Sequence, residues 1–214
     1  MGSDLTIFAI TALVLILSIT LHEFGHAFAG DRLGDPTPRS QGRVSLMPDR
    51  HFDPFGLAMI LISTYAGFGL GWGKPVQINL DNLKNVRRDD TIITLAGPVM
   101  NLILALISGL TLRFMISSGN IQSLPPLVLM TLFIMFSVNL SLMFFNLLPI
   151  FPLDGSHIMR RILPERLGES YYSFMVQYGP MILLLCVFVF RGVLWSVLSP
   201  AINATAQLII GRSF

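Results

Sequence analysis

Charge is what this sequence most lacks. Acidic and basic side chains make up 12% of its 214 residues, about half the roughly 25% usual in a soluble domain. Hydrophobic side chains fill 53% of the chain, and several apolar runs reach the roughly 20 residues that cross a hydrocarbon core. A soluble globular protein is therefore excluded. The chain reads as an all-α polytopic membrane protein. A massed basic patch is missing too: the net charge is +2, and the basic residues are spread over several short loops. That leaves no footprint for a nucleic-acid partner. The single cysteine, Cys186, excludes an intrachain disulfide. No cleavable signal peptide is visible, because the run from Leu5 to Leu21 lacks a basic leader and is too long for a signal core. Met1-Gly2 with Thr6 matches the myristoylation pattern and Asn203-Ala204-Thr205 the glycosylation pattern. Both read as chance matches, the first because a spanning helix starts at once.

The apolar segments run over 5–30, 55–72, 91–117, 125–150, 174–190 and 193–210, which gives about five to six membrane segments. Three polar stretches separate them: Asp31 to Asp53, Gly73 to Asp90, and Ser156 to Ser173. None is long enough for a separate soluble domain, and no internal repeat is visible. The expectation is one domain over 1–214, with a core over 5–165 and C-terminal membrane segments over 174–210. If the N-terminus lies outside and 55–72 dips in without crossing, 12 of the 14 basic residues face the cytoplasm. If 55–72 crosses, the tally is 8 against 6. The positive-inside rule favours the first arrangement. Glycines at 67, 69, 71 and 73 also weaken a helix there, so 55–72 is expected to be a re-entrant hairpin. Arg43-Val44-Ser45-Leu46 alternates polar and apolar, which suggests a short membrane-associated β element over Gly42–Leu46 whose edge pairs with unwound substrate. A plain ordered loop is the competing reading.

The first apolar run ends in His22-Glu23-Phe24-Gly25-His26, an HExxH pattern. On a helix, positions i and i+4 share a face, so both imidazoles can point at one metal. Glu23, rotated by about 100°, can reach a water on that metal. Zinc suits this set, since it takes imidazole nitrogens and keeps an open position in catalytic sites. Histidines bonded to carbonyls at a helix end would be the bland alternative. A Glu and two His within an apolar span are costly to desolvate, and favour the functional one.

A catalytic zinc normally has a third protein ligand. The two remaining histidines are His51 and His157, and acidic residues are few. Asp154 stands out in Asn146-Leu147-Leu148-Pro149-Ile150-Phe151-Pro152-Leu153-Asp154-Gly155. It follows a span directed back to the side where HExxH ends, and two prolines break the helix just before it. Broken backbone is tolerated in a membrane only where protein or a cavity satisfies it. Taken alone, without the HExxH pattern, Asp154 would read as an interfacial helix terminus.

With these residues in order, the sequence resembles the site-2 protease family of intramembrane zinc metalloproteases. HExxH at His22–His26, Ala-Gly-Pro-x-x-Asn at Ala96–Asn101 and Asn-x-x-Pro-x-x-x-Leu-Asp-Gly at Asn146–Gly155 carry the resemblance, which spans roughly residues 5–165. Gly69-Leu70-Gly71-Trp72-Gly73-Lys74-Pro75-Val76 is similar to a compact prokaryotic subgroup without PDZ or CBS domains. The resemblance implies one zinc held by His22, His26 and Asp154, Glu23 as general base, and Asn146 positioning or stabilising the tetrahedral intermediate. The family commonly has a basic residue, often arginine, where this chain has His157, which reads as an interfacial histidine.

Asn101, Asn139 and Asn146 also lie in apolar segments and could simply hydrogen-bond between helices. Asn139 is assigned that role, Asn101 is balanced between it and a part at the site, and Asn146 is assigned to the oxyanion. The expected function is cleavage of transmembrane helices near the cytoplasmic side of a prokaryotic plasma membrane, where the chain is multi-pass. The family resemblance suggests single-span substrates such as anti-sigma factors or signal-peptide remnants. A metal or proton transporter is the main alternative, though the paired broken helices of inverted repeats are not seen. An inactive helix-binding relative would have no need of Glu23.

Overall fold

The computed structural model describes residues 2–66 and 71–211, with side chains from Leu5 onward. Among them are eight α-helices: α1 (Gly2–Arg32), α2 (Thr37–Ser40), α3 (Pro54–Tyr65), α4 (Val86–Ser117), α5 (Pro126–Asn146), α6 (Asp154–Ile162), α7 (Glu165–Phe188) and α8 (Arg191–Ile210). Five of these, α1, α4, α5, α7 and α8, are long and apolar enough to cross a membrane.

Two apolar clusters hold the bundle. Ala105 and Leu112 of α4 bury against Phe136, Leu140 and Met143 of α5 and Ala206, Ile209 and Ile210 of α8. Leu15 and Ile19 of α1 bury with Ile60 of α3. Lipid tails are as apolar as these side chains, so close packing rather than water exclusion must hold helices together in a bilayer. The buried face of α4 accordingly carries Gly97, Ala105, Ser108 and Gly109. A Cβ at Gly109 would come within 2.6 Å of Ile209 and 2.7 Å of Phe136. The other face of α4 leaves Ile103, Ile107, Leu110 and Phe114 exposed, as a lipid-facing stripe would.

The 12 residues of α3 extend about 18 Å at 1.5 Å per residue, well short of the roughly 30 Å hydrocarbon core. Pro54 begins the helix, and Asp53 caps it by accepting from the Gly56 amide at 2.7 Å. Residues 71–79 run without helical structure, and the first of them lie beside α3. Gly71 abuts Ile60, the Trp72 carbonyl lies over Gly56, and the Lys74 amide donates to the His51 carbonyl at 2.6 Å. The part of the expected hairpin over 67–70 lies outside the described residues.

No strand forms among the described residues, and the β element expected over Gly42–Leu46 is corrected to a run of turns. Gly42 adopts φ +68°, the Arg43 amide bonds back to the Pro38 carbonyl, and His51 Nε2 takes the Ser45 carbonyl. Those local bonds occupy groups a ladder would need. The alternation also misleads, because Arg43 is 4% exposed and points inward. The polar stretch Ser156 to Ser173 is largely helical, formed by α6 and the first turns of α7.

Candidate metal centre

Helix α1 places His22 and His26 one turn apart on the face that meets α4, with ring centroids 4.7 Å apart. They are 7% and 9% exposed. Asp154 arrives from the other direction. The chain breaks after Asn146, passes Pro149 and Pro152, and restarts as α6 at Asp154 itself. Gly155 makes that approach feasible, since any Cβ there would collide with the Leu147 and Leu148 carbonyls. The structure thus brings together the three residues that the sequence singled out, their ligand atoms all within 4.8 Å of one another.

The protonation pattern says what this group can hold. His26 Nδ1 lies 2.8 Å from the Ile93 carbonyl. A carbonyl only accepts, so Nδ1 carries a proton, and in the neutral ring Nε2 presents a lone pair. His22 Nδ1 likewise donates to Asn101 Oδ1 at 2.7 Å. The two Nε2 atoms face each other at 3.1 Å, and Asp154 oxygens lie 3.1 Å from His22 Nε2 and 3.4 Å from His26 Nε2. Asp154 Oδ2 is buried and receives no hydrogen bond. With both imidazoles neutral, as metal ligands must be, three acceptors converge without a donor among them. A divalent cation removes that conflict, and two imidazole nitrogens with one carboxylate form a zinc donor set that keeps a position open.

Glu23 projects beside the histidines, its side chain 13% exposed. The returning segment crosses directly over it: a Cβ at Gly73 would sit 2.8 Å from Glu23 Cγ and 3.0 Å from Oε1. On its other flank is Arg43, whose guanidinium donates to the Lys74 carbonyl and stands 3.8 Å from Glu23 Oε2. Sequence reasoning missed Arg43 because the alternation around it suggested a surface. Asn146, the last residue of α5, uses an amide hydrogen on the Leu142 carbonyl at 2.9 Å. His22, Glu23, His26, Asn146 and Asp154 all line one cavity of about 1700 Å³, whose walls continue along Leu5, Phe8, Val138 and Trp195 of the spanning helices.

His157 lines the cavity without joining the ligand group. It packs in an aromatic cluster, 5.2 Å from the Tyr172 ring and 6.2 Å from Phe151, with Arg160 over Tyr172 at 4.4 Å. Burial pushes its imidazole below the ordinary value, towards the neutral form. His51 is fully buried in the loop before α3. Asn101 and Asn139, both 0% exposed, are joined by a 3.0 Å hydrogen bond, so Asn139 reaches the site's surroundings as the sequence did not suggest.

A family model described as peptidase family M50 matches residues 10–125 and 114–190. YwhC of Bacillus subtilis is 34% identical over 202 residues, covering 92% of this chain and 88% of that protein. Rip2 of Mycobacterium tuberculosis is 34% identical over 143 residues, covering 65% of this chain and 52% of that protein. A relative from Methanocaldococcus jannaschii is 24% identical over 201 residues, covering 86% of this chain and 48% of its own length. All three carry zinc metalloprotease in their names. No solved structure matches the chain.

Proposed function

The chain belongs to peptidase family M50 and is a zinc metalloprotease, and from that premise we propose that it cuts the transmembrane helices of other proteins within the bilayer. The observation that carries this reading is the convergence of the His22, His26 and Asp154 ligand atoms, beside Glu23, on a cavity walled by membrane-spanning helices. His22, His26 and Asp154 are assigned to one zinc per chain, Glu23 to the base and Asn146 to the oxyanion.

Zinc, when bound, supplies a Lewis acid and a water whose pKa falls to roughly 7. Glu23 takes a proton as the scissile carbonyl is attacked and returns it to the leaving amine. Arg43 and the Gly73 backbone bracket the Glu23 carboxylate on two sides. Asn146 spends one amide hydrogen on Leu142 and directs the other at the negative oxygen that develops on the carbonyl. The apolar cavity walls keep bulk water from the reacting groups.

A helical substrate hides its carbonyls in its own hydrogen bonds, so it must unwind before the cut, and Gly or Pro near the cut should help. The substrates are single-span proteins of the kind represented by anti-sigma factors or signal-peptide remnants. Cleavage falls near the cytoplasmic face of a prokaryotic plasma membrane. Helix α3 with its return segment forms a re-entrant wall or gate on the substrate path.

The test is cleavage of a labelled single-span peptide in liposomes. Wild type should cut within the apolar segment, and Glu23→Gln should keep zinc and lose activity by about 10²–10⁴-fold. Near-normal turnover by Glu23→Gln rules out this base. Cleavage confined to soluble peptides rules out the intramembrane reading.

A further inference from the structure

Nothing in an imidazole itself decides which of its nitrogens carries the proton. At His26 a backbone carbonyl decides. At His22 the partner is Asn101, whose side chain could present either oxygen or nitrogen, and the nitrogen would force the proton onto Nε2 and spoil the ligand. What orients Asn101 is a chain of hydrogen bonds across three helices.

Asn139 Nδ2 lies 2.8 Å from the Met135 carbonyl of α5. That carbonyl only accepts, so the nitrogen of Asn139 must face it and the oxygen must face Asn101. Asn101 Nδ2 then donates to Asn139 Oδ1 at 3.0 Å, which turns Asn101 Oδ1 toward His22 Nδ1 at 2.7 Å. Ser18 of α1 braces both asparagines: its hydroxyl accepts from Asn139 Nδ2 at 2.9 Å and its carbonyl from Asn101 Nδ2 at 3.4 Å. Ser18, Asn101 and Asn139 are all 0% exposed, so the network is shielded from bulk solvent.

We propose that Asn139, through Asn101, is a positioning residue that fixes the tautomer of His22 and keeps its Nε2 lone pair aimed at the metal. The inference rests on the ligand set assigned above. The polarity runs one way: a helix carbonyl of α5 sets Asn139, Asn139 sets Asn101, and Asn101 sets His22. The same three bonds tie α5, α4 and α1 together at the depth of the site, so helix packing and ligand chemistry are specified by one network.

Zinc affinity, measured by competition with a chromophoric chelator on the purified full chain, tests this apart from activity. Outer-shell partners of metal ligands typically contribute 10–100-fold in affinity. Asn139→Leu, which removes both ends of the relay, should weaken zinc binding by about that factor. Asn139→Asp keeps an acceptor toward Asn101 and should hold zinc within about threefold of wild type, even where its melting temperature falls as far as that of Asn139→Leu. A merely structural role would make affinity follow melting temperature in both variants, which overturns the proposal. Wild-type affinity in folded Asn139→Leu overturns it as well. Wild type without stoichiometric zinc overturns the ligand set itself. Should Asn139→Leu fail to fold, nitrogen-15 NMR of zinc-free wild type with labelled histidine decides. His22 should carry its proton on Nδ1, and a proton on Nε2 overturns the relay.

Discussion

A Cβ placed on Gly97 would lie 2.7 Å from Cε1 of His22 and press still closer on His26 Nε2. Helix α4 therefore forms a floor under the imidazole pair that only glycine can provide. In Gly97→Ala the rings must move away from their shared focus. Overpacking of this kind costs about 1–3 kcal/mol, roughly a five- to 150-fold loss of zinc affinity. Chelator competition measures it, and unchanged affinity would mean the rings have room that the geometry denies them.

Arg43 joins the turn after α2 to the returning segment and to the base at once, through the Lys74 carbonyl and Glu23 Oε2. Arg43→Met preserves length but removes the donors. Turnover of the labelled peptide should fall at least tenfold while zinc content stays at the wild-type level. Equal turnover in wild type and variant would show that Glu23 is oriented without it.

Asp35 is fully buried and accepts from the Thr37 amide and hydroxyl, the Asn79 amide and the Asn82 side chain, at 2.6–3.1 Å. Burial alone would raise its pKa, but these donors hold the carboxyl below the ordinary carboxylate value. A depressed folded pKa gives stability that is present above the unfolded value of about 3.9 and is lost as pH falls through the folded one. Asp35→Ala leaves buried donors unpaired at about 1–3 kcal/mol each. Its melting temperature in detergent should lie well below wild type at pH 7, with the gap narrowing below about pH 4. A gap independent of pH would exclude the ionised form as the source.

The Lys74 amide bonds to the His51 carbonyl, and in the re-entrant arrangement proposed above the chain on either side of α3 emerges on one face of the bilayer. Cysteines introduced at Asp49 and Asn82 in a Cys186→Ser background should both react with an impermeant thiol reagent from the cytoplasmic side only. Labelling from opposite sides would make α3 part of a true span.

The spans were legible because twenty-residue apolar runs leave few alternatives, and the two histidines because a helix puts i and i+4 on one face. Asp154 stood out beside the two prolines that forbid helix before it, but only the HExxH pattern and the family resemblance made it a candidate ligand. Other features depend on contacts that no local pattern encodes. Arg43 sits in an alternating stretch, and its inward turn follows only from Glu23 waiting there, 20 positions earlier. Asn139 by itself offers several interhelical partners. Its link to the site exists because α4 and α5 bring Asn101 against it from 38 positions away. The amphipathic α6 was hidden by its arginines, which made the stretch resemble a loop.

Zinc stoichiometry tests the central claim most directly. Elemental analysis of purified wild type should give about one zinc per chain, and His26→Ala and Asp154→Ala, each removing one of the three ligands assigned here, should fall sharply below it while remaining helical by circular dichroism. Full, tight zinc binding in both variants would contradict the assignment of these side chains as the metal's ligands.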